Sequence, residues 1–299
     1  MKNVKKIIGF GTAGVVALGL GAWAFTHQSA AAGETIVIGS KNFTENIVLG
    51  EIYAQSLEGA GFTVERKLNL GGTFVAQNAL QEGEIDLYPE YTGTGLIDIL
   101  KKEPSSDKEA VYQTVKTNYE KKWNLTWLES TQGNDSQGLV VTKDAAEKYD
   151  LKTFSDLAEH AKDLRFAATP EFNGRKDGLP GLQEAYGGFE FKANEVVDNG
   201  VRYQALENDQ ADATVAFTTD AQLTNEDLVL LEDDQQFYPP YYVAPVVSEE
   251  LVKQDPKIEE VLNEVSEKIT TQTLQDLNAK VDLDHEKAEQ VAKEFLAEN

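Results

Sequence analysis

Asp86-Leu87-Tyr88-Pro89-Glu90-Tyr91-Thr92-Gly93-Thr94-Gly95 packs a strand end, a bend and a helix start into ten residues. Residues 85–88 read as a short apolar strand. Pro89, which cannot donate to a sheet ladder, marks its end. Thr92 or Thr94 can cap a helix over residues 96–100. The N–H groups of a helix start favour an anion, and a tyrosine face favours a cation. Open α/β sheets bind ligands beyond the carboxyl ends of their strands, so this stretch suits a zwitterion. The alternative is a strand–turn–helix whose Tyr91 fills a core.

Upstream, residues 35–39 read as a buried strand and Gly39-Ser40-Lys41 as a turn. Thr44 can cap the next helix, where Ile47, Val48, Ile52 and Leu57 fall near a 3.6-residue period and Gly59 and Gly61 stop it. Residues 62–70 read as a second strand, and Gly71-Gly72-Thr73 opens a helix ending at Gly83. This β-α-β-α-β order implies a parallel sheet with helices on its faces.

Downstream, residues 107–123 read as an amphipathic helix, and 125–128 as a strand. The polar residues 130–137 read as a first crossing into a second lobe. There, strands are expected at 138–142, 165–168, 189–192, 213–217 and 228–231, with helices between. Residues 237–247, with two prolines and an aromatic cluster, read as the return crossing. Everything after Ser248 reads as helix, packing back on the first lobe. The expected division is residues 33–134 and 243–299 for lobe 1 and 135–242 for lobe 2.

The N-terminus has its own logic. Lys2, Lys5 and Lys6 precede an uncharged, mostly apolar run over residues 7–25, then Thr26-His27-Gln28-Ser29-Ala30-Ala31-Ala32. Residues 1–32 read as a signal peptide cleaved after Ala31 or Ala32, or as an uncleaved anchor, since the run approaches membrane-spanning length. Both readings place the remainder outside the cytoplasmic membrane, in a periplasm or on the membrane's outer face.

The chain has 299 residues, enough for two cores, and a net charge of −24. That acidity argues against nucleic acid, whose phosphates it would repel, and against docking on anionic lipid. Membrane contact is expected only through the N-terminal segment or a membrane partner. With no cysteine, disulfides, thiolate nucleophiles and Cys-based metal sites are excluded. Enzyme signatures such as G-x-S-x-G, P-loop and H-E-x-x-H are missing. His160 and His285 lie far apart in polar surroundings, without metal-ligand spacing. The expectation is a binding protein rather than an enzyme, with no cofactor and no metal.

DLYPEYTGTG resembles a signature of the substrate-binding proteins of bacterial ABC importers for quaternary-ammonium osmoprotectants: glycine betaine, carnitine, choline and relatives. The likeness continues through Ile38-Gly39-Ser40-Lys41-Asn42-Phe43-Thr44-Glu45, Gly71-Gly72-Thr73, Thr169-Pro170-Glu171-Phe172 with Arg175, Asp177 and Gly178, Phe217-Thr218-Thr219-Asp220, and Pro239-Pro240-Tyr241. These motifs stand in colinear order over nearly the whole chain after the leader. The resemblance implies an α/β fold of the two-lobe periplasmic-binding-protein type (type II). Each lobe would be a three-layer α/β sandwich, with the ligand in the interlobe cleft. It also implies a membrane permease partner and, through it, an ATPase subunit.

A quaternary ammonium cannot donate hydrogen bonds, so ring faces and negative potential must hold it. Its carboxylate wants cations, hydroxyls or N–H groups. By the resemblance, Tyr91 and Tyr241 match cage tyrosines, Thr94 a hydroxyl donor, and Lys41 a residue near the ligand's polar end. Arg175 matches an arginine that reaches the carboxylate or locks the lobes. It can also pair with Asp177 or Glu171. Two positions depart from the pattern: Gln137 and Phe217 stand where the family usually has tyrosines. A thinner, more polar cage fits a larger betaine, including ergothioneine, and Tyr242 or Tyr238 could refill the gap. A sensing domain is the other alternative.

Overall fold

The computed structural model describes residues 35–198 and 201–299. The signal peptide or anchor expected over residues 1–32 lies outside the described residues. Among the described residues no helix is long and apolar enough to cross a membrane. The described residues hold ten strands in chain order: β1 (Ile36–Gly39), β2 (Val64–Lys67), β3 (Leu87–Tyr91), β4 (Leu125–Trp127), β5 (Gln137–Thr142), β6 (Arg165–Ala168), β7 (Ala193–Val196), β8 (Ala213–Phe217), β9 (Leu228–Leu230) and β10 (Val243–Ser248).

They form two five-stranded sheets, ordered β2-β1-β3-β10-β4 and β7-β6-β8-β5-β9. In the first, β1 pairs in parallel with β2 and β3, as the β-α-β-α-β order requires. The sheet is nevertheless mixed, because β10 enters antiparallel between β3 and β4. The period-2 alternation of a strand gives each sheet two apolar faces. Leu87, Val243 and Val247 face a core shared with the helices Thr44–Gly59, Lys257–Ser266, Thr271–Asp282 and Ala288–Glu298. Tyr88, Ala244 and Val246 face the opposite core, under the helices Thr73–Gln81 and Lys108–Trp123. In the second sheet Leu139, Val141 and Val215 face one core, and Val140 and Ala216 the other. Each lobe is therefore a three-layer α/β sandwich.

Several local expectations fail for identifiable reasons. β3 does not stop at Pro89 but runs on to Tyr91. Pro89 lies opposite Pro245 of β10, and their carbonyls point away from each other, to Asn46 Nδ2 and to Leu128 N–H. At such a non-hydrogen-bonded position neither proline forfeits a bond between the two strands. For the same reason residues 243–247, expected in the return crossing, form most of β10. Neither Thr92 nor Thr94 caps with its side chain. The helical turn begins at Thr92 itself and passes into a wider π-type turn over Gly95–Ile99. Thr44 is not a cap either; its hydroxyl donates to Asp282 Oδ1 at 2.6 Å. The strand expected at 189–192 lies four residues later, as β7. Phe189 has φ 62°, and Phe191 stacks on Phe166 at 4.2 Å, so this aromatic pair serves the core instead.

Two crossings join the lobes and are zipped together. Asp135 N–H donates to Tyr241 O at 3.1 Å, Val243 N–H to Gly133 O at 3.2 Å, and Tyr241 N–H to Asn134 Oδ1 at 2.7 Å.

Candidate functional site

A cleft of about 730 Å³ takes side chains from both lobes and from the crossings. Lys41, Tyr91, Thr94, Gln137, Arg175, Phe217 and Tyr241 all line it. The structure thus brings together the seven positions matched to the family's ligand site in the sequence. Tyr238 and Tyr242 do not join them. Tyr238 is buried in the core of the second lobe, and Tyr242 lies under the Lys108 ammonium, 3.6 Å from its ring centre.

The first-lobe wall is built where β1 and β3 end side by side. Asn46 locks the two ends, accepting from Lys41 N–H at 2.6 Å and donating to Pro89 O at 2.8 Å. The Lys41 ammonium, though on the cleft, is buried and paired with Glu90. Glu90 also accepts from Tyr88 OH at 2.9 Å and from Tyr91 N–H at 2.7 Å. These bonds hold the Tyr91 backbone, and its hydroxyl donates to Glu45 Oε1 at 2.8 Å. Phe43 leans on the Tyr91 ring at 6.0 Å.

Asp177 organises the opposite wall. Its Oδ1 accepts from Arg175 Nε at 2.7 Å, and its Oδ2 from Gln137 Nε2 and Tyr241 OH, each at 3.0 Å. Burial opposes the Asp177 carboxylate, but the Arg175 guanidinium and the Tyr241 hydroxyl outweigh it and hold its pKa below the usual value. Arg175 Nη2 also reaches Asp98 Oδ2 of the first lobe at 3.2 Å. Of the two acids weighed as ion-pair partners in the sequence, Arg175 pairs with Asp177. Gly93 lets Tyr241 sit this close: a Cβ there would lie 2.6 Å from Cδ1 and Cε1 of the ring and 3.0 Å from Pro240 O.

Gln137 and Phe217 are direct cross-strand partners in the β5–β8 ladder, so both share one face. Arg202 lies 5.4 Å from the Phe217 ring centre and 4.9 Å from that of Tyr203, and it pairs with Asp220. Asp220 also accepts from Tyr203 OH at 2.7 Å and from Phe217 N–H at 2.7 Å.

Sequence reasoning missed the acidic lining of the cleft. Glu45, Asp135 and Asp220 all contribute to it. Burial raises the Glu45 pKa despite hydrogen bonds from Thr219, Asn278 and Tyr91, and the Asp220 charge adds to the rise. Burial, then the neighbouring Glu45 charge, pushes Asp135 well above the usual carboxylate range. Glu45 and Asp220 sat inside quoted motifs. Asp135 was one acid of a polar crossing, and Asn278 had no signal in its helical run. Phe43, Phe172 and Tyr203 add rings to the lining.

Residues 34–298 match the family model of the substrate binding domain of ABC-type glycine betaine transport systems. The ergothioneine transport permease/ergothioneine binding protein EgtU of Helicobacter pylori strain G27 is 37% identical over 262 residues, covering 87% of this chain and 47% of that protein. The chain thus spans about half the length of that relative. The glycine-betaine-binding protein of Pseudomonas aeruginosa is 35% identical over 277 residues, covering 89% of this chain and 88% of that one. Among solved structures, one described as a glycine betaine/carnitine/choline ABC transporter superposes with TM-score 0.80 at 31% identity, covering 88% of this chain and 98% of that one.

Proposed function

The chain belongs to the family of substrate-binding domains of ABC-type glycine betaine transport systems, and from that premise we propose that it is the extracytoplasmic solute-binding component of an ABC importer. It takes a quaternary-ammonium compound such as glycine betaine, carnitine or choline into its cleft and delivers it to a membrane permease driven by a separate ATPase subunit. Lobe 1 comprises residues 33–134 and 243–299, and lobe 2 residues 135–242. No step of this function is catalytic.

The observation that carries this reading is the meeting of Tyr91, Phe217 and Tyr241 on one cleft that also holds Glu45, Asp135 and Asp220. Ring faces, with the acceptor oxygens of those acids beside them, are what a cation without N–H groups can use. Arg175, Thr94 and Gln137 line the same cleft and serve the ligand's carboxylate. Lys41 is held by Glu90, so its role is to fix the strand-end loop under Tyr91. A second reading, a betaine with a larger body such as ergothioneine, is favoured by Gln137 and Phe217, which replace two rings' worth of hydroxyls and faces with an amide and a phenyl. The name of the Helicobacter relative points the same way.

The test is a calorimetric panel of glycine betaine, carnitine, choline, proline betaine and ergothioneine against glutamine and histidine. At least one methylated cation is expected to bind. Tight binding of an unmethylated amino acid with every methylated cation silent would sink the reading.

A further inference from the structure

Thr219 Oγ1 serves two carboxylates with one hydrogen. It donates to Asp135 Oδ1 at 2.8 Å, and the same hydroxyl also engages Glu45. With its hydrogen given to Asp135, its contact with Glu45 is a hydrogen bond only if that carboxyl carries a hydrogen of its own. Asn278 is a second, independent sign of a missing hydrogen. It lines the cleft beside Glu45 and is 5% exposed. Its Nδ2 gives both hydrogens, to Glu45 Oε2 and to Thr219 O, each at 2.9 Å, which fixes the amide's orientation. Its Oδ1 is then buried with no hydrogen-bond partner among the described residues. Such an acceptor asks for a donor.

The charges around the pair favour a neutral partner. Lys41, just past β1, is held by Glu90 of β3. Arg202, on the helix Arg202–Glu207, pairs with Asp220 beyond β8. On the opposite wall Arg175 is held by Asp177 and Asp98. The helix that carries Asn278 adds another acid to the lining, Asp282, which accepts from Thr44. The Tyr91 hydroxyl, at the end of β3, already gives its hydrogen to Glu45. Burial and the charges of Glu45 and Asp220 therefore keep a proton on Asp135 against the pull of Lys41. Asp135 is only partly buried and lines the cleft, so a proton held there can leave to solvent.

Resting on the reading of the cleft as a quaternary-ammonium site, we infer that Glu45 and Asp135 share one proton in the ligand-free protein, and that the solute's cation displaces it to solvent. A quaternary ammonium brings a permanent positive charge and no hydrogen. Inside the cleft that charge favours the ionised form of both acids, as an opposite charge does. Proton and solute then compete for one site. Where the pair still holds its proton, each binding event releases it, so binding tightens as pH rises. Once the pair has lost the proton, affinity levels off. The cleft would thus take up solute less readily from acid surroundings, although the solute itself does not titrate.

Titration calorimetry in buffers of different ionisation enthalpy counts the protons directly. The solutes are glycine betaine, carnitine and choline, none of which changes charge appreciably between about pH 5 and pH 9. The unmutated protein is expected to release up to about one proton per solute bound at the acid end and none at the alkaline end. Its dissociation constant should fall by up to about tenfold per pH unit where release is complete. Asp135→Asn and Glu45→Gln each remove one charge of the pair, so the remaining acid ionises more readily. In each variant the release should move to lower pH. A solute that binds the unmutated protein without releasing protons at any pH would overturn the shared proton and leave the proposed function standing. A release that keeps the same pH profile in both variants would assign it to another group and overturn the pair equally. Silence of all three solutes would remove the proton exchange together with the proposed function.

Discussion

Tyr91 shows how one side chain takes on two duties. It belongs to the first lobe's core and lines the cleft, so both readings open in the sequence, core filler and ligand contact, describe it. Tyr91→Ala is expected to weaken binding of a quaternary-ammonium solute about tenfold or more, the upper range of one desolvated ring face. Tyr91→Phe keeps the ring but loses the bond to Glu45, and should bind more tightly than the alanine variant. Calorimetry on both separates the ring from the hydroxyl. Asp135 gives a pH signature. Its pKa in the fold lies well above the ordinary 3.8. The fold therefore prefers the protonated form, and that preference is fully present below the unfolded pKa. It is lost as pH rises through the folded value. Asp135→Asn should consequently gain stability on the unmutated protein as pH rises through that window, in denaturant titrations without ligand. A constant difference between the two proteins across that window would show that Asp135 is not the group responsible. What was legible at this scale were residues with unusual chemistry in unusual company: tyrosines beside glycines, one arginine beside aspartates. Asp135 and Asn278 were not, because their role depends on burial and on partners far away in sequence, such as Glu45 and Thr219.

The elements tell a similar story with different causes. The β-α-β-α-β opening could be read because apolar runs, glycine stops and turn residues repeat there, and β1, β2 and β3 follow it. β10 was hidden by Pro245, and the end of β3 by Pro89. A proline argues against a strand only where its N–H would enter the ladder, and facing prolines at a non-hydrogen-bonded position evade that rule. β7 was hidden for another reason: its four residues are exposed, so no alternation marks them. At the turn after β3, Gly93 is needed for space rather than for backbone freedom, since it belongs to the helical turn Thr92–Thr94. In Gly93→Ala the new methyl meets the Tyr241 ring and the Pro240 carbonyl. The carbonyl belongs to the crossing's backbone and cannot swing aside, so the ring must move. The expected cost is about 1–3 kcal/mol of stability, typical of overpacking, with a loss of solute affinity as Tyr241 leaves its bond to Asp177. Denaturant titration and calorimetry on the one variant read both. Unchanged affinity would show that the position of Tyr241 is immaterial to binding.

At the scale of the whole molecule, the cleft is spanned by few direct bonds. Near the crossings, Gln275 and Asn278 of the first lobe donate to Thr218 O and Thr219 O of the second at 2.7 and 2.9 Å. Arg175 of the second lobe also meets Asp98 of the first at 3.2 Å. Parting of the lobes separates Arg175 from Asp98, so this pair favours the arrangement in which the two lobes meet. Both side chains are partly exposed, which places the pair in the range of about 0–1 kcal/mol for solvent-screened ion pairs. The apparent affinity of a binding protein falls with the fraction of molecules in the competent state. Asp98→Asn should therefore weaken solute binding by no more than about fivefold, the factor that 1 kcal/mol allows. It should also raise the radius of gyration of the ligand-free protein in small-angle scattering. Salt supplies the control: screening lengths shorten from about 10 Å at 0.1 M to about 3 Å at 1 M. Added salt should then move the unmutated protein toward the variant's radius and leave the variant where it is. If both proteins share one radius at low salt, Arg175 contributes through Asp177 and the ligand's carboxylate alone, and closure is set by the solute itself.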